Sequence, residues 1–270
     1  MHPVPTFHHI CELLASDASR TVLTQFYESL ISRRIDEAPD DADPRTKRLR
    51  KSSQRRGVVR LLQDLPGYES MVEVGCGKGK LANEILLAFP ERDIMGIDKQ
   101  QDLVDRGQRE NPGIRLVQAN AWKYQPENVG AVVGLHTCGA LVDRTIAMAA
   151  EQDADVVVAP CCYGKVGLND RRINPYQLPR SKALQQWETK FLDCLRSAKR
   201  MEGLAQDHKN TRVFSLIDLT RMAVNLDRML WLQERGYDAR FVEITGTQGV
   251  RPNGEKFYQS QLRQAIVGTK

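Results

Sequence analysis

The stretch VEVGCGKGKLA, residues 72–82, decides how this chain is read. Three glycines, Gly75, Gly77 and Gly79, follow directly on a run of strand-forming residues and stand ahead of a helical pattern. Glycine at such a turn permits φ > 0 and lets a ligand approach the backbone, while the helix behind it presents free N–H groups. Asp98, nineteen residues beyond Gly79, closes the next predicted strand, where a carboxylate can chelate ribose hydroxyls. Strand, turn, helix and acid thus stand in the order that a nucleotide-like ligand requires. Spacing removes two such ligand classes. A dinucleotide fingerprint, G-x-G-x-x-G, needs its third glycine at position 80, which is Lys80, and the phosphate-loop pattern G-x-x-x-x-G-K-[ST] has no match.

Outward from that loop, short apolar runs alternate with longer amphipathic stretches, the pattern of βαβ units and a mostly parallel sheet. Strands are predicted over 71–74, 93–97, 114–118, 131–135, 155–159, 239–244 and 264–267, and helices over 81–89, 102–109, 142–150 and 219–235. The expected organisation is a helical N-terminal extension over 1–68 and an α/β domain over 69–270, with a helical insertion at about 166–218. Within the extension, 7–35 show helical spacing of apolar residues, and 36–43 are acidic enough to read as a linker. A basic helix then runs through Val58, Val59, Leu61 and Leu62 until Pro66-Gly67 stops it.

The chain has 270 residues, 39 Lys plus Arg, 34 Asp plus Glu and a formal net charge of +5. That surplus is local. Arg45, Lys47, Arg48, Arg50, Lys51, Arg55, Arg56 and Arg60 fall in sixteen residues without an acid, and the remainder carries a small negative charge. Such a distribution points to one polyanion contact, with a solvated helix face as its competing explanation. A hydrophobic fraction of 41% supports a sizeable core, and no apolar run reaches the ~20 residues that a membrane-spanning helix needs. The polar start MHPVPTFHHICELL lacks the order of a signal peptide, and six cysteines without C-x-x-C spacing fit reduced thiols, so a cytoplasmic protein is expected.

The pattern E-x-G-x-G-x-G from Glu73 to Gly79 resembles motif I of the class I S-adenosylmethionine-dependent methyltransferases. The resemblance implies a Rossmann-like methyltransferase fold with a seven-stranded, mostly parallel sheet, and S-adenosyl-L-methionine as cofactor. It places Gly75, Cys76, Gly77 and Gly79 around the methionine part and Glu73 near its ammonium group. It gives Asp98 the ribose and sets Asn120 and Ala121 at the adenine.

After the fourth predicted strand comes GLHTCG, residues 134–139, and after the fifth APCCYGK, residues 159–165. Substrates of this fold class bind beyond the carboxyl ends of the strands, so His136, Cys138, Cys161, Cys162 and Tyr163 are expected to converge on the reacting methyl group. Several chemistries fit parts of the cluster. An amine acceptor would call for Asp/Asn-Pro-Pro-Tyr/Phe after the fourth strand, and Asn174-Pro175-Tyr176 matches only a fragment, in the wrong place. Cytosine chemistry would use a cysteine nucleophile such as Cys161, but in RNA enzymes of that type the Pro-Cys and Thr-Cys pairs follow the opposite strands. A zinc site from His136, Cys138 and Cys161 lacks close-paired ligand spacing, so no metal is expected.

Taken together, His-x-Cys-Gly and Cys-Cys-Tyr resemble a branch that holds the eukaryotic tRNA 2′-O-methyltransferases and related methyltransferase-like proteins. The segments KSSQRRGVVRLL, residues 51–62, and WLQERGYDARFVEI, residues 231–244, extend the likeness. Tyr163 departs from the branch's histidine pair, and its N-terminal zinc-binding clusters are missing. The expected activity is methyl transfer to RNA, tRNA or rRNA. His136 is the candidate base or substrate-orienting group, unless it serves the loop or the cofactor carboxylate instead, with Tyr163 and Cys161 beside it. Arg48, Lys51, Arg55 and Arg56 in the basic segment 45–60, with Lys165 after the fifth strand, are the candidate RNA contacts. A protein or small-molecule acceptor, or a non-catalytic binding module that keeps the fold, are the alternatives.

Overall fold

The strands Ala131–Leu135 and Asp155–Ala159 are apolar at nearly every position, AVVGL and DVVVA, which suits a strand covered by helices on both faces. Both are buried throughout and lie in the middle of a seven-stranded sheet. The computed structural model describes residues 45–65, 67–160, 175–189, 191–192, 195–196, 224–244, 248–250, 256–258 and 264–270. The elements run α1 (Arg45–Gln63), β1 (Ser70–Val74), α2 (Lys80–Ala88), β2 (Asp93–Asp98), α3 (Gln101–Glu110), β3 (Arg115–Gln118), β4 (Ala131–Leu135), α4 (Ala140–Glu151) and β5 (Asp155–Ala159). They continue with a one-turn α5 (Lys182–Gln185), α6 over 224–233, β6 (Asp238–Glu243), β7 (Gln248–Val250), β8 (Lys256–Tyr258) and β9 (Gln264–Thr269). Neighbours in the sheet follow the order β3-β2-β1-β4-β5-β9-β6. β1 to β5 are parallel, and β9 is antiparallel to both β5 and β6. This is the Rossmann-like, mostly parallel sheet expected from the sequence, with every predicted strand within two residues of its place.

Alternation along each strand divides the core in two. Val72, Val74, Ile97 and Val156 pack with Ile146 of α4 and Met229 of α6 on one face. Met71, Ile94, Val133 and Val157 pack with Ile85 of α2 and Val58 of α1 on the other. The second half of α1 therefore belongs to the core of the domain: Val58 and Leu62 are fully buried, and the expected boundary at 68 falls inside this cluster. Residues 1–44, including the helical stretch expected over 7–35 and the acidic linker, and most of the expected insertion lie outside the described residues. The two-stranded β7–β8 sheet was not anticipated. No helix among the described residues is long and apolar enough to cross a membrane.

Gly57 fixes how closely α1 approaches. A Cβ built there would stand 1.9 Å from the Ile244 carbonyl oxygen, just past β6, and that obstacle is backbone. Alanine at an exposed helix site would gain about 1 kcal/mol over glycine, whereas forcing bulk into a packed contact costs about 1–3 kcal/mol. Gly57→Ala is therefore expected to lower the melting temperature. A variant that melts at or above wild type would show that α1 does not dock on this edge.

Candidate functional site

β1 and β4 are neighbours in the sheet, yet the chain leaves them in opposite directions, through β2 and β3 on one side and through β5 on the other. The loops beyond their carboxyl ends diverge and leave a crevice, the usual ligand position in such sheets. The glycine loop follows β1, and GLHTCG follows β4. Both expected motifs therefore reach the same crevice.

The loop is held by β2. The Ile97 carbonyl accepts from the Gly75 and Cys76 N–H groups at 2.8 and 3.0 Å, and the Asp98 carboxylate accepts from Gly77 N–H at 2.9 Å and from Gln100 N–H at 3.0 Å. Gly75, Gly77 and Gly79 all adopt positive φ, at 70°, 56° and 67°. Their surroundings separate their roles. A Cβ on Gly79 would strike the Ile114 and Leu116 side chains within 3 Å, so glycine there serves packing. A Cβ on Gly77 would meet nothing within 4 Å, so that backbone faces open space beside Asp98. Cys76 is buried, which pushes its thiol well above the ordinary range and makes it a packing residue.

Glu73 lies on the α2 side of β1 and is 4% exposed. Its Oε2 accepts from Ala82 N–H at 2.9 Å, so it caps the start of α2, which no side chain at Gly79 could cap. Burial raises its pKa from 4.5 to about 8, against the lowering effect of that hydrogen bond. The expected place of Glu73 beside a cofactor ammonium therefore comes with a structural duty that the motif alone does not reveal.

On the β4 side, His136 stands in the left-handed region at φ 60°, a rare conformation for a residue with a Cβ, and its N–H donates to the Ala159 carbonyl at 3.2 Å. The Cys138 thiol lies 3.3 Å from the His136 carbonyl. Cys161, Cys162, Tyr163 and Lys165 lie outside the described residues. Among the described residues no group of three or more His, Cys, Asp and Glu side chains is arranged to hold a metal. Asn120 is exposed, and its Oδ1 accepts from Trp122 N–H, while Ala121 is buried. In the basic segment, Arg56 and Arg60 are exposed, whereas Arg55 is taken up by an ion pair with Glu84 of α2. The side chains of Arg48 and Lys51 lie outside the described set.

Two buried arginines hold the crevice loops, and both were missed. Arg144 of α4 donates to the Ala121 and Tyr124 carbonyls at 2.8 and 3.0 Å and pairs with Glu151 at 2.7 Å. Arg228 of α6 pairs with Asp143 at 2.9 Å and donates to the Gly139 carbonyl at 3.2 Å. Asp143 and Arg228 are 1% and 2% exposed. The available signal was a charge inside an otherwise apolar helix, as in ALVDRTIAMAA and NLDRMLWL. A charge there must be paired or its burial costs several kcal/mol, on the order of the penalty per ion.

Residues 55–168 match the family model of a methyltransferase domain. The matched span runs from α1 past β5 and takes in both motif loops. Over 88 residues the chain is 28% identical to the trans-aconitate 2-methyltransferases of Acidovorax ebreus (strain TPSY) and Acidovorax sp. (strain JS42). The likeness covers 32% of this chain and about a third, 34%, of the length of these relatives. Among solved structures, the magnesium protoporphyrin IX methyltransferase of Synechocystis PCC 6803 is similar at 15% identity and a TM-score of 0.46, covering 92% of this chain and 98% of that one. The methyltransferase domain of bacterial CtHen1 is similar at 15% identity and a TM-score of 0.44, covering 82% and 99%. The strand order, not these likenesses, assigns the fold.

The raised pKa of Glu73 has a measurable consequence. Because the folded-state value lies above the unfolded one, its stabilising contribution is complete below about 4.5 and is lost as pH rises through about 8. Glu73→Gln keeps the shape and removes the titration. Denaturant unfolding between pH 4.5 and 8.5 is expected to show the variant gaining steadily on wild type. A difference independent of pH would mean that Glu73 is ionised throughout.

Proposed function

We propose that the chain is an S-adenosyl-L-methionine-dependent methyltransferase whose acceptor is RNA. The observation that carries the cofactor reading is Gly77: a left-handed backbone with open space where a Cβ would stand, its N–H held by the acid that ends β2. The residues present fit such a cofactor. The glycine loop would receive the methionine part, the Asp98 carboxylate keeps lone pairs for ribose hydroxyls, and the segment 120–124, held by Arg144, would flank the adenine. When bound, the cofactor supplies an activated methyl group on a sulfonium centre. The chain's own task is then to hold the acceptor in line and remove its proton. His136, at the carboxyl end of β4, is the residue assigned to that proton or to orienting the acceptor, with Tyr163 and Cys161 as the neighbouring groups expected from the sequence.

RNA is favoured by α1. Its buried side joins the core, and Arg56 and Arg60 stand exposed in a helix whose sequence carries six further cations. Arginines on a fixed helix can neutralise several phosphates, and such binding weakens steeply as salt rises. The small-molecule reading has its own support, since the two Acidovorax relatives, similar over 88 residues, are methyltransferases of trans-aconitate.

Calorimetry tests the cofactor first. Wild type is expected to bind S-adenosyl-L-methionine, Asp98→Ala to bind it at least tenfold more weakly, and Asp98→Asn, which keeps an acceptor for Gly77 N–H, to fall between. Equal affinity in all three would remove the ribose role. Transfer of labelled methyl to a cell extract fractionated into RNA, protein and small molecules then tests the acceptor. Label in RNA, lost with His136→Ala, is expected; label confined to small molecules would overturn the RNA assignment.

A further inference from the structure

The turn that follows β3 consumes most of its own hydrogen-bonding groups. The Asn120 carbonyl accepts from the Lys123 and Tyr124 N–H groups, both at 2.9 Å, and Asn120 Oδ1 accepts from Trp122 N–H at 3.0 Å. One residue earlier, the Ala119 N–H donates to the Asp98 carbonyl at 2.9 Å, so the turn starts beside the acid that ends β2. Ala121 is the buried exception. Its N–H meets no acceptor among the described residues, although a buried amide without a partner is rare. The turn therefore offers one backbone donor, and what that donor suits is an acceptor atom on a ligand.

A turn held by its own bonds can still tilt as a unit about the end of β3. Arg144 removes that freedom. Its Nε donates to the Ala121 carbonyl at 2.8 Å and its Nη2 to the Tyr124 carbonyl at 3.0 Å, near the two ends of the turn. Two donors fixed in one planar guanidinium hold both peptide planes at once. The remaining nitrogen, Nη1, donates to Glu151 at 2.7 Å, about two turns further along α4, so the fork is itself held from the helix that carries it. The carbonyl that Arg144 grips and the N–H that lacks an acceptor belong to the same residue, Ala121, so a shift of the first moves the second.

We propose that Arg144 is the positioning residue that sets which base the cofactor site accepts. The proposal rests on the cofactor reading above, in which this turn flanks the adenine. An N–H donor suits a base edge whose ring nitrogen carries a lone pair, as in adenine, and opposes one that carries hydrogen there, as in hypoxanthine. A site built to hydrogen-bond its ligand rejects an analogue that leaves the donor unpaired, and that rejection holds only while the donor is fixed. Arg144 is buried behind the turn and acts through the two carbonyls.

Calorimetry on the full chain tests it with S-adenosylhomocysteine and S-inosylhomocysteine, which share the ribose and the homocysteine and differ only at the base edge. Wild type is expected to bind the adenine form about tenfold more tightly or better. Arg144→Lys keeps the charge but cannot hold two carbonyls with one planar group, and is expected to cut that preference to about threefold or less. Arg144→Gln, which buries no charge, carries the same expectation and serves if the lysine variant does not fold. Glu151→Gln leaves both carbonyl bonds in place and is expected to keep the preference. A role in stability alone would weaken both ligands alike and leave their ratio unchanged. A full preference in a folded Arg144 variant therefore overturns the proposal, as does equal binding of the two forms by wild type, or a loss in Glu151→Gln as large as in Arg144→Lys. Wild type that binds neither form overturns the cofactor reading, and this proposal with it.

Discussion

One backbone carbonyl organises the candidate site. Ile97, the penultimate residue of β2, accepts from two successive N–H groups of the glycine loop, and Asp98 beside it accepts from a third. These bonds exist only because β1 and β2 are parallel in the register that sets Val74 opposite Ile97, which brings Gly75 just beyond the last pair. A turn this tight needs positive φ at alternate residues, and only glycine adopts that without a steric cost. The result is a loop whose amides mostly point back at the sheet, leaving Gly77 as the place where a ligand can reach the main chain. Asp98 is thus both an anchor of the loop and the candidate ribose acceptor, and its two duties share one carboxylate.

This dependence explains what could be read from the residues and what could not. The strands were legible because VEV, AVVGL and DVVVA are short runs, apolar at most positions and rich in β-branched residues, bounded by turn formers. The glycine loop and Asp98 were legible because their spacing is set by one turn and one βαβ unit. β7 and β8 were not, since three residues each, QGV and KFY, give no period to detect. Glu73 was visible as an acid in an apolar strand, but its partner, the Ala82 N–H, is a backbone group that no sequence pattern names. The apolar spacing of Val58, Leu61 and Leu62 was legible as a helix face, but the surface it packs on, the α2 side of the sheet, is set by contacts far along the chain that no local pattern names.

The buried charges on α4 act on both sides of the crevice. Replacing a buried ion pair with well-packed apolar residues often leaves stability unchanged or raises it, so Asp143–Arg228 is poorly explained as a source of stability, and the Arg144–Glu151 pair, whose acid is exposed, adds little. What they do is hold carbonyls: Arg228 that of Gly139, at the end of the His136 loop, and Arg144 those of Ala121 and Tyr124, after β3. Adjacent residues of one rigid helix therefore set the positions of two loops that the chain reaches from different strands. Leucine at either position could fill the volume but could not orient a peptide group.

The basic segment also changes meaning once α1 is placed. As a flexible extension, its cations would concentrate a polyanion near the protein without orienting it. In the fold, Gly57 lets α1 approach the Ile244 carbonyl, Val58 and Leu62 anchor it against the sheet, and Arg55 ties it to Glu84 on the helix that begins at the glycine loop. Arg56 and Arg60 are exposed on a helix that cannot shift without breaking these contacts. A phosphate bound to them would sit at a fixed distance from the turn at Gly77. The local charge surplus is thus less a general attraction than a rigid reference point, and its value to an acceptor depends on how far that acceptor's reacting atom lies from the phosphate it presents.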